Sequence, residues 1–171
     1  MDQRLPVRYL NPRGVIQMHG ANVPHWQQGS VTQFLTFRLA DSVPQKQLRD
    51  WEREREIWLR YHAKPWTEEV EEEYYERFTE VMDTWLDSGM GDCVLHRPEL
   101  ATIVMDALHF FDRKRYDPLC YVVMPNHVHV LMTPREEVAL QDILRSWKRH
   151  SSREIHKVLG RQGELWQPGL F

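Results

Sequence analysis

Apolar positions along the chain fall into short runs of different period. Residues 31–39 (VTQFLTFRL) are rich in β-branched and aromatic side chains and predict a strand. Residues 119–124 (LCYVVM) and 127–133 (HVHVLMT) predict two more, separated by a Pro125-Asn126 turn. Helical spacing governs the segments between. Residues 45–61 place Leu48, Trp51, Arg55 and either Trp58 or Leu59 on one stripe, with a Glu/Arg mixture around it. Ser42 is placed to cap this helix, with Pro44 as its first residue. Lys64-Pro65-Trp66 breaks it, Thr67 opens a second helix to about residue 86, and Ser88-Gly89 stops that one. Residues 93–95 read as extended. Pro98 then starts an apolar helix over 99–113, and 116–118 reads as a turn. Residues 140–159 form a helix with Ile143, Leu144, Trp147 and Ile155 on its inner face, and 164–167 reads as a short strand. Residues 1–30 are punctuated by proline and glycine, and residues 1–25 read as an irregular arm.

Without the helical hairpin at 44–88, the order is βαββα. That order predicts an α+β fold, an antiparallel sheet with helices on one face, and the hairpin reads as an insertion into a single domain at 26–171. A chain of 171 residues, 42% hydrophobic and 27% charged, suits such a domain. It has no apolar run of membrane-spanning length and no export signal, so a cytoplasmic location is expected. Cys93 and Cys120 then read as two buried free thiols. The net charge of -3 conceals a division: +4 over residues 1–49, -9 over 50–92 and +2 over 93–171. An acidic middle segment masks a basic helix in which Arg145, Lys148, Arg149, Arg153, Lys157 and Arg161 face only Glu154.

Two features carry candidate chemistry. In His127-Val128-His129, alternation along a strand turns both imidazoles to one face, where they can share a divalent metal while Val128 enters the core. Asn126 stands at the strand entry as a polar support. Nine histidines in 171 residues give roughly 0.4 such pairs by chance, so a pair of half-buried strand histidines without a ligand is the competing reading. The second feature is the basic helix. Arg145, Lys148, Arg149, Arg153 and Lys157 project as a cationic ridge able to neutralise phosphates, or else form an ordinary solvated face. Trp147 fits the core better than a base-stacking role.

The strings YVVMPNHVHVL from Tyr121, DILRSWK from Asp142 and LWQ from Leu165 resemble the insertion-sequence-200-like transposases, and among them the REP-associated tyrosine transposases. The resemblance extends to His25-Trp26, residues 31–39 and the tryptophan-rich hairpin. It implies an RRM-like or ferredoxin-like α+β domain acting on single-stranded or hairpin DNA, commonly as a homodimer. His127 and His129 match the metal-binding histidines of the HUH motif, with Mg²⁺ or Mn²⁺ polarising the scissile phosphate. A helix-borne tyrosine of the family attacks phosphorus to give a 5′-phosphotyrosine intermediate. That tyrosine lies downstream of the Trp-Gln segment, so it is expected beyond Phe171. The resemblance thus implies a transposase that binds DNA and metal and cleaves poorly as these 171 residues. The alternative is a non-catalytic DNA-binding protein derived from such an enzyme.

Overall fold

The computed structural model describes residues 4–9, 11, 17–19 and 25–168, with the side chains of 17–19 and 25–27 left aside. Two short strands, β1 (Gln17–His19) and β2 (His25–Gln27), pair antiparallel with Met18 opposite Trp26. The segment read as an irregular arm therefore contains a hairpin. The chain then forms β3 (Gln33–Arg38), α1 (Gln45–Tyr61), α2 (Glu68–Tyr74), α3 (Val81–Asp87), α4 (Pro98–His109), β4 (Tyr116–Val123), β5 (His127–Pro134) and α5 (Leu140–Leu159). A π-helical stretch, Tyr75–Glu80, joins α2 to α3. Contacts divide the chain into two compact units, Asp41–Cys93 and the remainder.

The larger unit is an α+β layer. Its three-stranded sheet has the order β3-β5-β4, antiparallel throughout. The period-2 pattern decides the two faces. Leu35, Phe37 and Leu39 of the β3 segment, with Val128, Val130 and Met132 of β5, are buried against Leu100, Val104 and Leu108 of α4 and Ile143, Leu144, Trp147 and Ile155 of α5. Trp147 is a core residue, its indole N–H donating to the Tyr116 hydroxyl at 2.5 Å. Trp166 packs edge-on against Phe37 at 4.8 Å and donates to Ser151 Oγ at 2.9 Å. The 164–167 segment forms one antiparallel bridge, Leu39 to Trp166, along the outer edge of β3.

The opposite face carries Phe34, Thr36 and Arg38 of β3 and His127, His129, Leu131 and Thr133 of β5. Near its Thr133 end, Leu5 N–H donates to the buried Asp117 carboxylate, which Arg135 also holds at 3.2 Å. Arg8 N–H donates to Thr32 Oγ1 at 3.1 Å, and Thr32 Oγ1 bonds Thr133 Oγ1 at 2.9 Å. Residues 5–8 are thereby tied to one end of this face.

Several local expectations are corrected. Pro44 occupies the cap position of α1 with ψ 132, and no side chain caps the helix; Ser42 is buried instead. Residues 94–96 form a 3₁₀ turn rather than a strand. The apolar helix stops at His109, and Arg113 adopts a left-handed φ of 60. Residues 116–118 lie inside β4, where Pro118 is tolerated because β4 is an edge strand with a register shift between Pro118 and Cys120. Cys93 and Cys120 are both free, but Cys93 is half-buried and Cys120 exposed, on the open face.

The smaller unit is helical, held by an aromatic cluster. Tyr74 packs against Trp58, Trp66 and Phe78 at 4.9 to 5.3 Å, and its hydroxyl accepts from Arg55 Nε at 2.6 Å. Trp58 donates to Glu73 at 2.8 Å. Paired side chains of this kind let a short unit with eight excess negative charges hold a core.

Candidate metal and nucleic-acid site

The β4–β5 connection is a two-residue turn over Pro125-Asn126, closed by Met124 N–H to His127 O at 2.9 Å. The turn is held on both sides. Leu39 N–H donates to Asn126 O at 2.8 Å, and Leu95 N–H donates to Pro125 O at 3.0 Å. His127 thus begins β5 from a fixed point, and His129 follows on the same face.

The two imidazoles converge. Their Nε2 atoms stand 3.0 Å apart, with ring planes at 80°. His127 Nδ1 lies 2.8 Å from Asn126 Oδ1, an oxygen that can only accept, so Nδ1 carries the proton and Nε2 presents a lone pair. His129 Nδ1 lies 2.8 Å from Thr36 Oγ1 on β3. A hydroxyl both donates and accepts, so Thr36 supports either tautomer of His129. Without an ion, His129 Nε2–H donates to His127 Nε2 and the Thr36 hydroxyl donates to His129 Nδ1. With the proton moved to Nδ1, His129 donates to Thr36 and both Nε2 lone pairs face one point.

That donor set fits one divalent ion. A separation of 3.0 Å matches two nitrogens bonded at right angles to a cation at about 2.1 Å each. Imidazole suits the later first-row transition ions best, whereas Mg²⁺ prefers oxygen ligands. Among the described residues no group of three or more His, Cys, Asp or Glu gathers to hold a metal, so an ion here would be held by His127 and His129 alone among them. His127 is only 1% exposed and His129 half-buried. His127 is enclosed beside Asn126, whose Oδ1 it bonds, and next to Arg38, its β3 partner.

The basic helix divides differently from its spacing. Arg145, Arg149, Arg153 and Lys157 are exposed on α5. Arg145 pairs with Asp142 at 2.9 Å, and Arg153 and Lys157 share Glu154 at 2.7 and 2.9 Å. Such exposed pairs are weak and can be exchanged for phosphate. Lys148 leaves this ridge. It donates to Gln167 O at 2.7 Å, and burial together with the nearby Arg38 guanidinium lowers its pKa to about 8. The projecting role expected for Lys148 is therefore corrected: its ammonium lies along the 165–167 seam. Arg38, fully buried at the end of β3 beside His127, carries a second cation close to the same place.

Spacing missed two residues of the site, Thr36 and Arg38. Both lie on β3, and only the register Thr36–His129 and Arg38–His127 brings them to the pair. Alternation along 31–39 would have grouped Phe34, Thr36 and Arg38 on one face, without saying which strand they meet.

Of the tyrosines in this unit, Tyr116 is buried toward α5, and Tyr121, paired with Val130 on the helix-covered side, bonds His109 Nε2 at 2.8 Å. Tyr9 is exposed on the arm. No helix among the described residues is long and apolar enough to cross a membrane.

Residues 99–171 match the family described as Transposase IS200 like. The match takes in most of α4 together with β4, β5, α5 and the 165–167 segment, while β3 and the smaller unit lie outside it. It supports a transposase-type, DNA-processing function. No curated protein matches the chain.

Proposed function

We propose that this chain is the metal- and DNA-binding body of a transposase-type protein acting on single-stranded or hairpin DNA. The observation that carries the reading is the convergence of His127 and His129 Nε2 at 3.0 Å, each ring held from behind by a side-chain oxygen. His127 and His129 hold Mn²⁺ or Mg²⁺. When bound, the ion supplies a Lewis acid to a phosphate oxygen of the scissile linkage. Asn126 and Thr36 keep the rings aimed, and the exposed cations of α5, on the helix-covered side, take phosphates farther along the strand. Within this reading, strand transfer proceeds through a 5′-phosphotyrosine link, the homodimer is the working form, and the chain falls in the REP-associated branch. These three points rest on the resemblance of the PNHVH, SWK and LWQ strings.

The placement of Tyr116 and Tyr121 on the helix-covered side favours a second reading, a DNA-binding protein without its own nucleophile.

One experiment tests the first claim and separates the two. Mn²⁺ is titrated and followed by the loss of its free electron-paramagnetic-resonance signal, with wild type and His129→Ala in parallel. Single-site binding by wild type and its loss in the variant are expected. Equal uptake by both proteins overturns the metal site. Incubating the Mn²⁺-loaded chain with hairpin DNA, then running a denaturing gel, reads out the nucleophile. A protein–DNA adduct would place a nucleophile within these residues and overturn the second reading.

A further inference from the structure

The open face of the sheet carries an aromatic ring that the metal site does not use. Phe34 is the second residue of β3 and is 65% exposed. Its ring stacks on that of His129, with centroids 5.4 Å apart and planes at 18°. This is the diagonal contact expected when Phe34 pairs with Leu131 and His129 lies two residues away on β5. Beside them, Val122 is 53% exposed opposite His129, and Cys120 is exposed opposite Leu131. Phe34, Val122 and Cys120 leave a flat, uncharged surface that begins at the edge of the histidine pair. At the far end of the face, the anchored segment carries the exposed cations Arg4 and Arg8.

We propose that Phe34 is the platform on which an unpaired base stacks when its phosphate lies at the His127–His129 pair. The inference rests on the nucleic-acid reading above and deepens it. A nucleobase is the occupant because it alone combines a flat π-face with an attached phosphate, and the surface joins a flat aromatic ring to a phosphate-directed cation site. Bases inside a duplex are covered on both faces, so only an unstacked base can reach Phe34. The platform therefore selects single-stranded or looped DNA at the reacting phosphate, without reading sequence. Arg4 and Arg8 at the far end of the face suit the backbone that leads away from that base.

The test compares two strands of equal charge, an oligodeoxyadenylate of about 12 nucleotides and an abasic strand of the same length, by fluorescence anisotropy with Mn²⁺ present. Wild type is expected to bind the adenylate about tenfold more tightly or better. Phe34→Ala should remove most of that ratio while leaving abasic-strand affinity and its salt slope unchanged. Phe34→Trp should retain the ratio, and Phe34→Leu, which keeps apolar bulk, should lose it. A ratio in Phe34→Ala equal to that of wild type overturns the platform and leaves the nucleic-acid reading standing. Failure of both strands to bind wild type in a salt-dependent way overturns that reading and the platform with it. A change of mass by light scattering in Phe34→Ala, without DNA, would place a second copy of the chain on this face and overturn the proposal. Equal loss of Mn²⁺ affinity in Phe34→Ala, Phe34→Leu and Phe34→Trp, with the adenylate ratio intact, would confine Phe34 to holding His129 in place.

Discussion

Replacing Lys148 by methionine probes whether this cation belongs to the exposed cationic ridge of α5 or to the protein interior. In the folded chain its pKa falls from 10.5 to about 8, through burial first and the Arg38 charge second. The folded value lies below the unfolded one, so between pH 8 and 10.5 the unfolded chain holds the extra proton and stability rises with pH. Below that window the charged ammonium costs about 3 kcal/mol relative to an unperturbed lysine. Raising the pH from 7.5 to 10 should relieve about 2 kcal/mol of it. Lys148→Met has no such proton to lose, although it leaves Gln167 O without its donor. Urea unfolding at the two pH values, followed by circular dichroism, should therefore show the difference between wild type and Lys148→Met shift by about 2 kcal/mol in favour of wild type at the higher pH. Parallel pH responses would mean that Lys148 is solvated, and would return it to the exposed ridge.

Thr36→Val removes the hydroxyl behind His129 and should weaken Mn²⁺ binding by about tenfold or more with little change in melting temperature, as read by spin-resonance titration. Arg149 is exposed and has no ion-pair partner among the described residues. Arg149→Ala should weaken single-strand binding uniformly across sequences and flatten the salt slope by about 0.7, whereas Lys148→Met should leave that slope unchanged. Asp117→Ala breaks a buried ion pair and frees Leu5 N–H, so limited proteolysis should cut the segment before residue 9 sooner than in wild type. The same change should cost about 3 kcal/mol in urea unfolding. An unaltered cleavage rate would show that the segment is anchored elsewhere.

Features set by local periodicity were legible along the chain. Helices at 45–61 and 140–159 have the bounds their patterns predict, because an amphipathic stripe and a terminal glycine, Gly160 at φ 63, are local signals. The inward face of β5 and the shared face of His127 and His129 follow equally from alternation. What was not legible depends on neighbours distant in sequence. Lys148 sits at a helix position that looks solvent-facing until the 165–167 segment arrives beside it. Thr36 has no chemical signature until register places it opposite His129. Pro118 reads as a turn residue because nothing local tells an edge strand from a central one. The π-helical stretch at Tyr75–Glu80 has no compositional mark in its sequence, and we find no physical cause for it.

The bridge between Leu39 and Trp166 has a practical consequence. Ala40 N–H to Leu165 O and Gln167 N–H to Arg38 O, each at 2.9 Å, stitch the tail to the free margin of the sheet. Trimming the chain upstream of Leu165 would bare that margin, and with it backbone groups ready to recruit a strand from another molecule. Any recombinant version, affinity tag or protease-cleaved form should keep this hem intact, or aggregation will be mistaken for loss of DNA affinity.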